Sequence, residues 1–240
     1  MSPSKKTLSL IVPALNEEGN IRQTCESIIR PAEKHLSDYE ILVFDDGSTD
    51  QTSEVVKELL SRNPHLRLFR NPTPRGLGYN YWAGITQAHF PFSMLVPGDN
   101  EITEESLERI FSECGEVDLI VTYPLNSHIR PWGRQLLSKF FIAIFNFLFR
   151  LNLRYYNGPN IARTALARPF AFSTSGFTYM ASMLVPLIKG GASYKEVGFT
   201  LRGRKAGRSK ALSPKNFFTV SRDTVLLFWK VYSRERVSTR

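Results

Sequence analysis

The chain is 240 residues long, 42% hydrophobic and 22% charged, a balance that excludes disorder as its overall state and suits one large domain. Lys and Arg outnumber Asp and Glu by 31 to 22, a formal charge of +9, which favours anionic partners: nucleic acid, an anionic membrane surface or phosphorylated ligands. Cys25 and Cys114, the only cysteines, make neither a disulfide framework nor a zinc pattern; read as reduced and structural, they fit a cytosolic compartment.

Residues 1–6 are polar and carry no secretory signal pattern. Residues 7–12 read as a buried strand stopped by Pro13, and 17–29 have helical spacing with Ile21, Ile28 and Ile29 as core positions. Residues 39–44 form a second strand, 45–50 (Asp-Asp-Gly-Ser-Thr-Asp) a turn and 52–60 a helix. A third strand at 66–69, a helix at 78–88, a fourth strand at 92–96, a helix at 104–111 and a fifth strand at 117–122 complete the first half. Strands alternating with helices indicate βαβ units and a mainly parallel sheet. Ligands of such sheets bind outside the carboxyl ends of the strands. The polar clusters fall there: Asn16 and Glu17 after the first strand, Asp45 and Asp46 after the second, Asp99 after the fourth.

The second half is aromatic and basic. Residues 140–149 are almost wholly apolar, opening with Phe140-Phe141-Ile142-Ala143-Ile144-Phe145 and closing with Phe147-Leu148-Phe149, with Lys139 and Arg150 at the ends. This is about half the length of a membrane span, which needs about 20 apolar residues. Two readings stand: a helix lying in the membrane interface with cations at the headgroups, or a core helix packed on the sheet. Residues 217–232 form a second apolar stretch, interrupted by Arg222 and Asp223, and also too broken to span a bilayer.

Four segments carry chemistry. Asp45 and Asp46 stand where a strand meets a turn, placed to accept hydrogen bonds from a base or ribose; Ser48 or Asp50 can instead serve as a helix cap. Asp99 follows Val96-Pro97-Gly98 and, with Glu101, offers oxygen ligands to Mg2+ or Mn2+ against a diphosphate; the plainer alternative is a turn aspartate followed by a capping Thr103. Arg75-Gly76-Leu77-Gly78 opens a helix whose N-terminus favours anions. Residues 202–210, with Arg202, Arg204, Lys205, Arg208, Ser209 and Lys210, form a basic segment after a strand-like stretch at 194–201 and suit phosphate contacts. No aromatic residues interleave with it in the manner that stacks bases, so nucleic acid is not the expected partner.

Taken in order and spacing, the segments 9–18, 44–50, 75–78 and 98–99 resemble the family 2 glycosyltransferases. Gly207-Arg208-Ser209-Lys210, with Arg204 before it, resembles the branch of dolichol-phosphate mannosyltransferase and the bacterial polyprenyl-phosphate glycosyltransferases. The resemblance covers residues 7–212. It implies an α/β fold of the GT-A nucleotide-diphospho-sugar transferase type, a Rossmann-like, mainly parallel sheet flanked by helices. It further implies a UDP- or GDP-linked sugar donor, a divalent metal and inversion at the anomeric carbon. On this resemblance Pro13, Ala14, Asn16, Glu17, Asp46, Gly76, Gly98 and Asp99 bind the donor. Asp99 and Glu101 hold the metal, and Asp99 and Arg204 are catalytic. Arg134, Ser138, Lys139, Arg204, Ser209 and Lys210 receive a polyprenyl-phosphate acceptor.

Residues 1–212 are expected to be the GT-A domain and 213–240 an amphipathic helix with a basic tail, either within the same unit or against the membrane. The expected location is peripheral, on the cytoplasmic face of a membrane, with homo-oligomerisation left open. Two departures from the family pattern stand out. Pro97 occupies the place of the first acid of the Asp-x-Asp metal motif, and Asn157-Gly158-Pro159-Asn160 replaces Ser-Gly-Phe-Arg. A lipid phosphate is already ionised near neutral pH, so it needs no strong general base, unlike a sugar hydroxyl; such an enzyme must chiefly position two anions and neutralise the leaving diphosphate. The alternatives are transfer to a glycan or other hydroxyl, or a non-catalytic nucleotide-sugar-binding subunit.

Overall fold

The computed structural model describes residues 6–174, 176, 178–203 and 214–238, with side chains for 219–233 of the last stretch. The first half alternates as its apolar periodicity predicts: β1 (Thr7–Ala14), α1 (Ile21–His35), β2 (Asp38–Asp45), α2 (Thr52–Leu60), β3 (Leu66–Arg70), α3 (Leu77–Gln87), β4 (Phe92–Leu95), α4 (Glu104–Ser112) and β5 (Leu119–Pro124). Then follow α5 (Trp132–Phe149), β6 (Ile161–Arg163), the single turn α6 (Thr164–Ala167), α7 (Tyr179–Lys189), β7 (Tyr194–Phe199) and α8 (Pro214–Ser238).

The seven strands form one sheet in the order β3-β2-β1-β4-β6-β5-β7. Every pairing is parallel except those of β6, which runs antiparallel to both β4 and β5. From β1 the chain moves outward to β2 and β3, then returns to place β4 on the other side of β1. The strand order therefore reverses between β1 and β4, the switch point at whose carboxyl ends sheets of this kind form their ligand crevice.

Alternation along β1 assigns the two faces of the sheet. Leu8, Leu10 and Val12 join one core with Ile21, Cys25 and Ile28 of α1 and Leu107, Ile110 and Phe111 of α4. Ile11 joins the other, with Tyr81, Trp82 and Ile85 of α3, Phe145 and Phe149 of α5, Met180, Met183 and Leu184 of α7, and Leu227 and Val231 of α8. This is the period-2 pattern of a strand covered on both sides. Trp82 and Tyr81 are fully buried, each removing the area of a large aromatic from water, worth about 2–3 kcal/mol.

Several boundaries differ from those expected. β1 is not stopped by Pro13 but runs through it to Ala14. Proline lacks only the N–H that would point towards β4, and β4 has ended at Leu95. Its carbonyl is still used, accepting the Gly98 N–H at 2.9 Å. Helix α1 starts at Ile21 rather than Glu17: Asn16 sits at φ 57, and the Glu17 carbonyl accepts the N–H groups of Asn20 and Ile21, forming a turn first. Strand β6 and helix α7 were not foreseen at all.

Candidate active site

At the crevice the β1 end and the turn after β2 are stitched together. Asn16 N–H donates to Ser48 Oγ at 3.0 Å, Glu17 N–H to Thr52 Oγ1 at 2.8 Å and Glu18 N–H to Asp50 Oδ2 at 3.1 Å. In return, Thr49 N–H donates to Asn16 Oδ1 at 2.9 Å and Gln51 N–H to Glu18 Oε2 at 2.9 Å. Glu17 accepts the side-chain N–H of Asn20 at 2.7 Å. Asp50 also accepts the Thr52 N–H at 3.0 Å, so it organises the start of α2. These reciprocal bonds make the two loops a single rigid lip beside Pro13 and Ala14, which are themselves buried.

Asp45 and Asp46 divide the work. Asp45 is fully buried and accepts the Ser48 N–H at 2.8 Å and the Ser53 hydroxyl, with Arg70 Nε at 3.4 Å. Burial alone would raise its pKa; the bonds from Ser48 and Ser53 and the Arg70 charge outweigh that and hold it below the usual carboxylate range. Asp46 faces the other way. Its Oδ1 accepts Asn71 Nδ2 and the Arg75 N–H, and its Oδ2 the Gly76 N–H, each at 2.8 Å. Asn71 also donates to Asn80 Oδ1 at 2.7 Å, and Asn80 returns to the Gly76 carbonyl at 3.0 Å. Asp46 thereby fixes the loop that opens α3. Gly47 is required beside it: φ is +78°, and a Cβ would stand 3.0 Å from the Thr73 backbone.

The β4 end meets the β1 end at Gly98. A Cβ there would lie 3.0 Å from Ala14 Cβ and 3.1 Å from the Pro13 carbonyl oxygen. The Gly98 carbonyl accepts Thr24 Oγ1 at 2.9 Å, which fixes the peptide leading into Asp99. Asp99 is half-buried and its Oδ1 accepts the Glu101 N–H at 3.2 Å; Thr103 caps α4 by accepting the Ser106 N–H at 3.3 Å. The turn aspartate and the capping threonine are thus both present, and the turn sets the carboxylate at the crevice.

The donor set suits a divalent cation. Carboxylate oxygens are hard ligands, the glycine beside Asp99 lets the backbone approach closely, and Mg2+ or Mn2+ is commonly held by one or two carboxylates with substrate phosphates completing the shell. Among the described residues no group of three or more His, Cys, Asp or Glu gathers to hold a metal. Of the expected ligands, Asp99 and Glu101 stand two residues apart on the turn after β4, and Pro97 brings no carboxylate.

The expected acceptor residues separate. At 100° per residue, Arg134 and Ser138 fall on the side of α5 that carries Phe141, Phe145 and Phe149, and both are partly buried. Lys139 lies elsewhere, exposed beside a stripe about 80° wide made of Trp132, Leu136, Phe140, Ala143 and Phe147. That stripe faces outward: Trp132 is 79% and Phe147 84% exposed. The core-helix reading holds for one face of this helix, and the other face is apolar and open. Helix α8 lies against it, with the rings of Phe149 and Phe228 6.3 Å apart and the Tyr232 hydroxyl donating to the Leu148 carbonyl at 2.9 Å. It presents Val225, Leu226 and Trp229 outward.

The departure at 157–160 is structural. Asn160 is buried, accepting the Thr122 N–H at 2.7 Å and donating to the Tyr156 carbonyl at 3.1 Å. Arg204, Ser209 and Lys210 lie outside the described residues.

Asn71 and Asn80 were missed. The rule that picks out Asp45 and Asp99, a polar residue at a strand end, also picks out Asn71; nothing in the pattern marks Asn80.

Residues 9–174 match the glycosyl transferase family 2. A polyprenol monophosphomannose synthase of Mycolicibacterium smegmatis is 27% identical over 224 residues, covering 87% of this chain and 82% of that protein. A dolichyl-phosphate beta-glucosyltransferase of Trichomonas vaginalis is 28% identical, over 45% of this chain and 34% of that protein. The match thus spans only about a third of this second relative. In fold, the chain is similar to the glucosyl-3-phosphoglycerate synthase of Mycobacterium tuberculosis solved with Mn2+, UDP-glucose and phosphoglyceric acid, with a TM-score of 0.67 at 18% identity, covering 93% of this chain and 79% of that one. The sheet is that of the GT-A fold, and the chain belongs to glycosyl transferase family 2.

Proposed function

We propose that the chain transfers a sugar from a UDP- or GDP-linked donor to a polyprenyl phosphate at a membrane surface, with inversion at the anomeric carbon. The observation that carries the donor half is the switch point at the carboxyl ends of β1 and β4, where Gly98 packs on Ala14 and the turns bearing Asp46 and Asp99 leave the sheet. The acceptor half is supported by the M. smegmatis relative, named for a polyprenol monophosphate product, and by the open apolar stripe of α5.

The segment from β5 to α5 runs against the β7 end, with Leu125 N–H donating to the Phe199 carbonyl at 2.8 Å. Lys139 and Arg150 on α5 and Arg222 and Lys230 on α8 are exposed, and α5 has no acidic residue. Apolar surface edged by cations suits an anionic bilayer surface. Among the described residues no helix is long and apolar enough to cross a membrane. The proposed location is peripheral, on the cytoplasmic face.

In the proposed reaction an acceptor phosphate oxygen attacks the anomeric carbon from the side opposite the diphosphate. The new C–O bond forms as the bond to the diphosphate breaks, which gives inversion. The attacking oxygen is already ionised, so no side chain must remove a proton. Asp46 holds Gly76 and the N-terminus of α3 in place, where free N–H groups favour anions. Asp99 and Glu101 would hold Mg2+ or Mn2+, which supplies neutralisation of the leaving diphosphate when bound. Arg204, Ser209 and Lys210 are assigned to the phosphates.

Pro97 favours a second reading, a nucleotide-sugar-binding protein without turnover. Incubation of UDP- and GDP-sugars with a short prenyl phosphate and Mn2+ separates the two. Transfer is expected, reduced about 100-fold in Asp99→Ala. Transfer to glycan hydroxyls alone, or no transfer from any donor, overturns the proposal.

A further inference from the structure

We propose that Arg202 is a positioning residue for Asp99, acting through Asn100; this rests on the donor-site reading above. The chain beyond β7 continues as an antiparallel partner of the segment beyond β4. Leu201 bridges Ile102, Thr103 N–H donates to the Thr200 carbonyl at 3.3 Å, and Arg202 N–H donates to the Glu101 carbonyl at 2.6 Å. Asn126 clamps the other edge: its Nδ2 donates to the Leu201 carbonyl at 2.8 Å and its Oδ1 accepts the Leu201 N–H at 2.9 Å. Residues 200–202 are thus held from both sides, and the main chain fixes where the Arg202 side chain starts.

From there Arg202 Nη1 donates to Asn100 Oδ1 at 2.6 Å. Asn100 sits at φ 54, in the left-handed region. Asparagine enters that region more readily than other non-glycine residues, and its surroundings hold it there. Arg202 supplies that hold twice, by side chain to Asn100 and by main chain to Glu101. Both contacts bracket the turn whose N–H at Glu101 orients Asp99 Oδ1. Without Arg202 the 99–101 turn loses its outer support, and the carboxylate loses its fixed direction into the crevice.

The test is calorimetric titration of UDP and of GDP, each with and without Mn2+, into wild type, Arg202→Ala, Asn100→Ala and the double variant. Each single substitution is expected to weaken the nucleotide bound by wild type about tenfold, in the Mn2+-dependent part of the affinity. The double variant is expected to lose no more than either single one, because both act on one contact. Arg202→Gln, which keeps an N–H donor for Asn100, is expected to restore part of the affinity and guards against misfolding of the alanine variant. Wild-type affinity in Arg202→Ala, or additive losses in the double variant, overturns the positioning role while leaving the donor-site reading intact. If wild type binds neither nucleotide, the donor-site reading fails and this inference with it.

Discussion

The carboxylate of Asp46 accepts the backbone N–H of Gly76 at 2.8 Å, tying the residue after β2 to the residue that opens α3. With the bonds to Arg75 and Asn71, three of its roughly four acceptor positions are taken inside the protein. Asp46 therefore shapes the pocket at least as much as it lines it. Asp46→Asn keeps the size but turns one acceptor into a donor facing N–H groups. A loss of about 2 kcal/mol in unfolding free energy is expected, together with weaker nucleotide binding. Unchanged denaturant midpoint and affinity would mean that the loop holds itself.

Gly98 offers a cleaner separation of site from fold. The Cβ of Gly98→Ala would press on Ala14 and the Pro13 carbonyl, and neither is the end of a flexible side chain. The β1 and β4 ends must part by a few tenths of an ångström, at a cost of about 1–3 kcal/mol. Donor KM should rise along with a lower melting temperature. A variant with wild-type values of both would show that the crevice is slack.

Asp45 predicts an acid limb. Its folded pKa is depressed, so its contribution to stability is present above the unfolded value of about 3.9 and is lost as pH falls through the folded one. Urea titrations between pH 6 and pH 3 should show stability falling below about pH 4. Asp45→Asn should flatten that limb while lowering stability at pH 6. An equally steep acid limb in the variant would assign it to other carboxylates.

The outward faces of α5 and α8 predict partitioning. Flotation with vesicles containing phosphatidylserine should carry the wild-type chain upward, less so as salt rises. Trp132→Ser with Phe147→Ser should weaken partitioning at least about tenfold, since each aromatic buried in the interface is worth about 1.5–3 kcal/mol. The pair lies on the exposed side, so melting temperature should hold. Equal flotation of variant and wild type would remove this face as the contact.

The donor half was legible because β1, β2 and β4 are buried on both sides and read as continuous apolar runs, each ending in a polar cluster. β6 was not, because Ile161–Arg163 is three residues long and too short for any period to show. Helix α7 hid for the opposite reason. It is apolar nearly all round, with Pro186 inside, and buries Tyr179, Met180, Ala181, Met183, Leu184 and Val185; a helix without a polar face has no stripe to detect. At the site, strand-end acids were visible as residue types. Their partners were not, because Asn80 reaches Asp46 through Asn71 and Gly76, Arg202 reaches the Asp99 turn through Asn100 and the Glu101 carbonyl, and such relays depend on tertiary placement.

Strand β6 carries one last implication. Ile161 is paired with Met94 on one side and Ile120 on the other, so three residues join β3-β2-β1-β4 to β5-β7. In sequence distance this joint is not the longest in the sheet: β6 returns across roughly seventy residues to meet β4, while β4 itself lies more than eighty residues from its partner in β1. The sheet thus has a narrow seam at β6. It coincides with the border between the strands that build the crevice and those that lead to α5. Drift or engineering on the α5 side can alter what docks there while the pairings of β1, β2, β3 and β4 stay as they are.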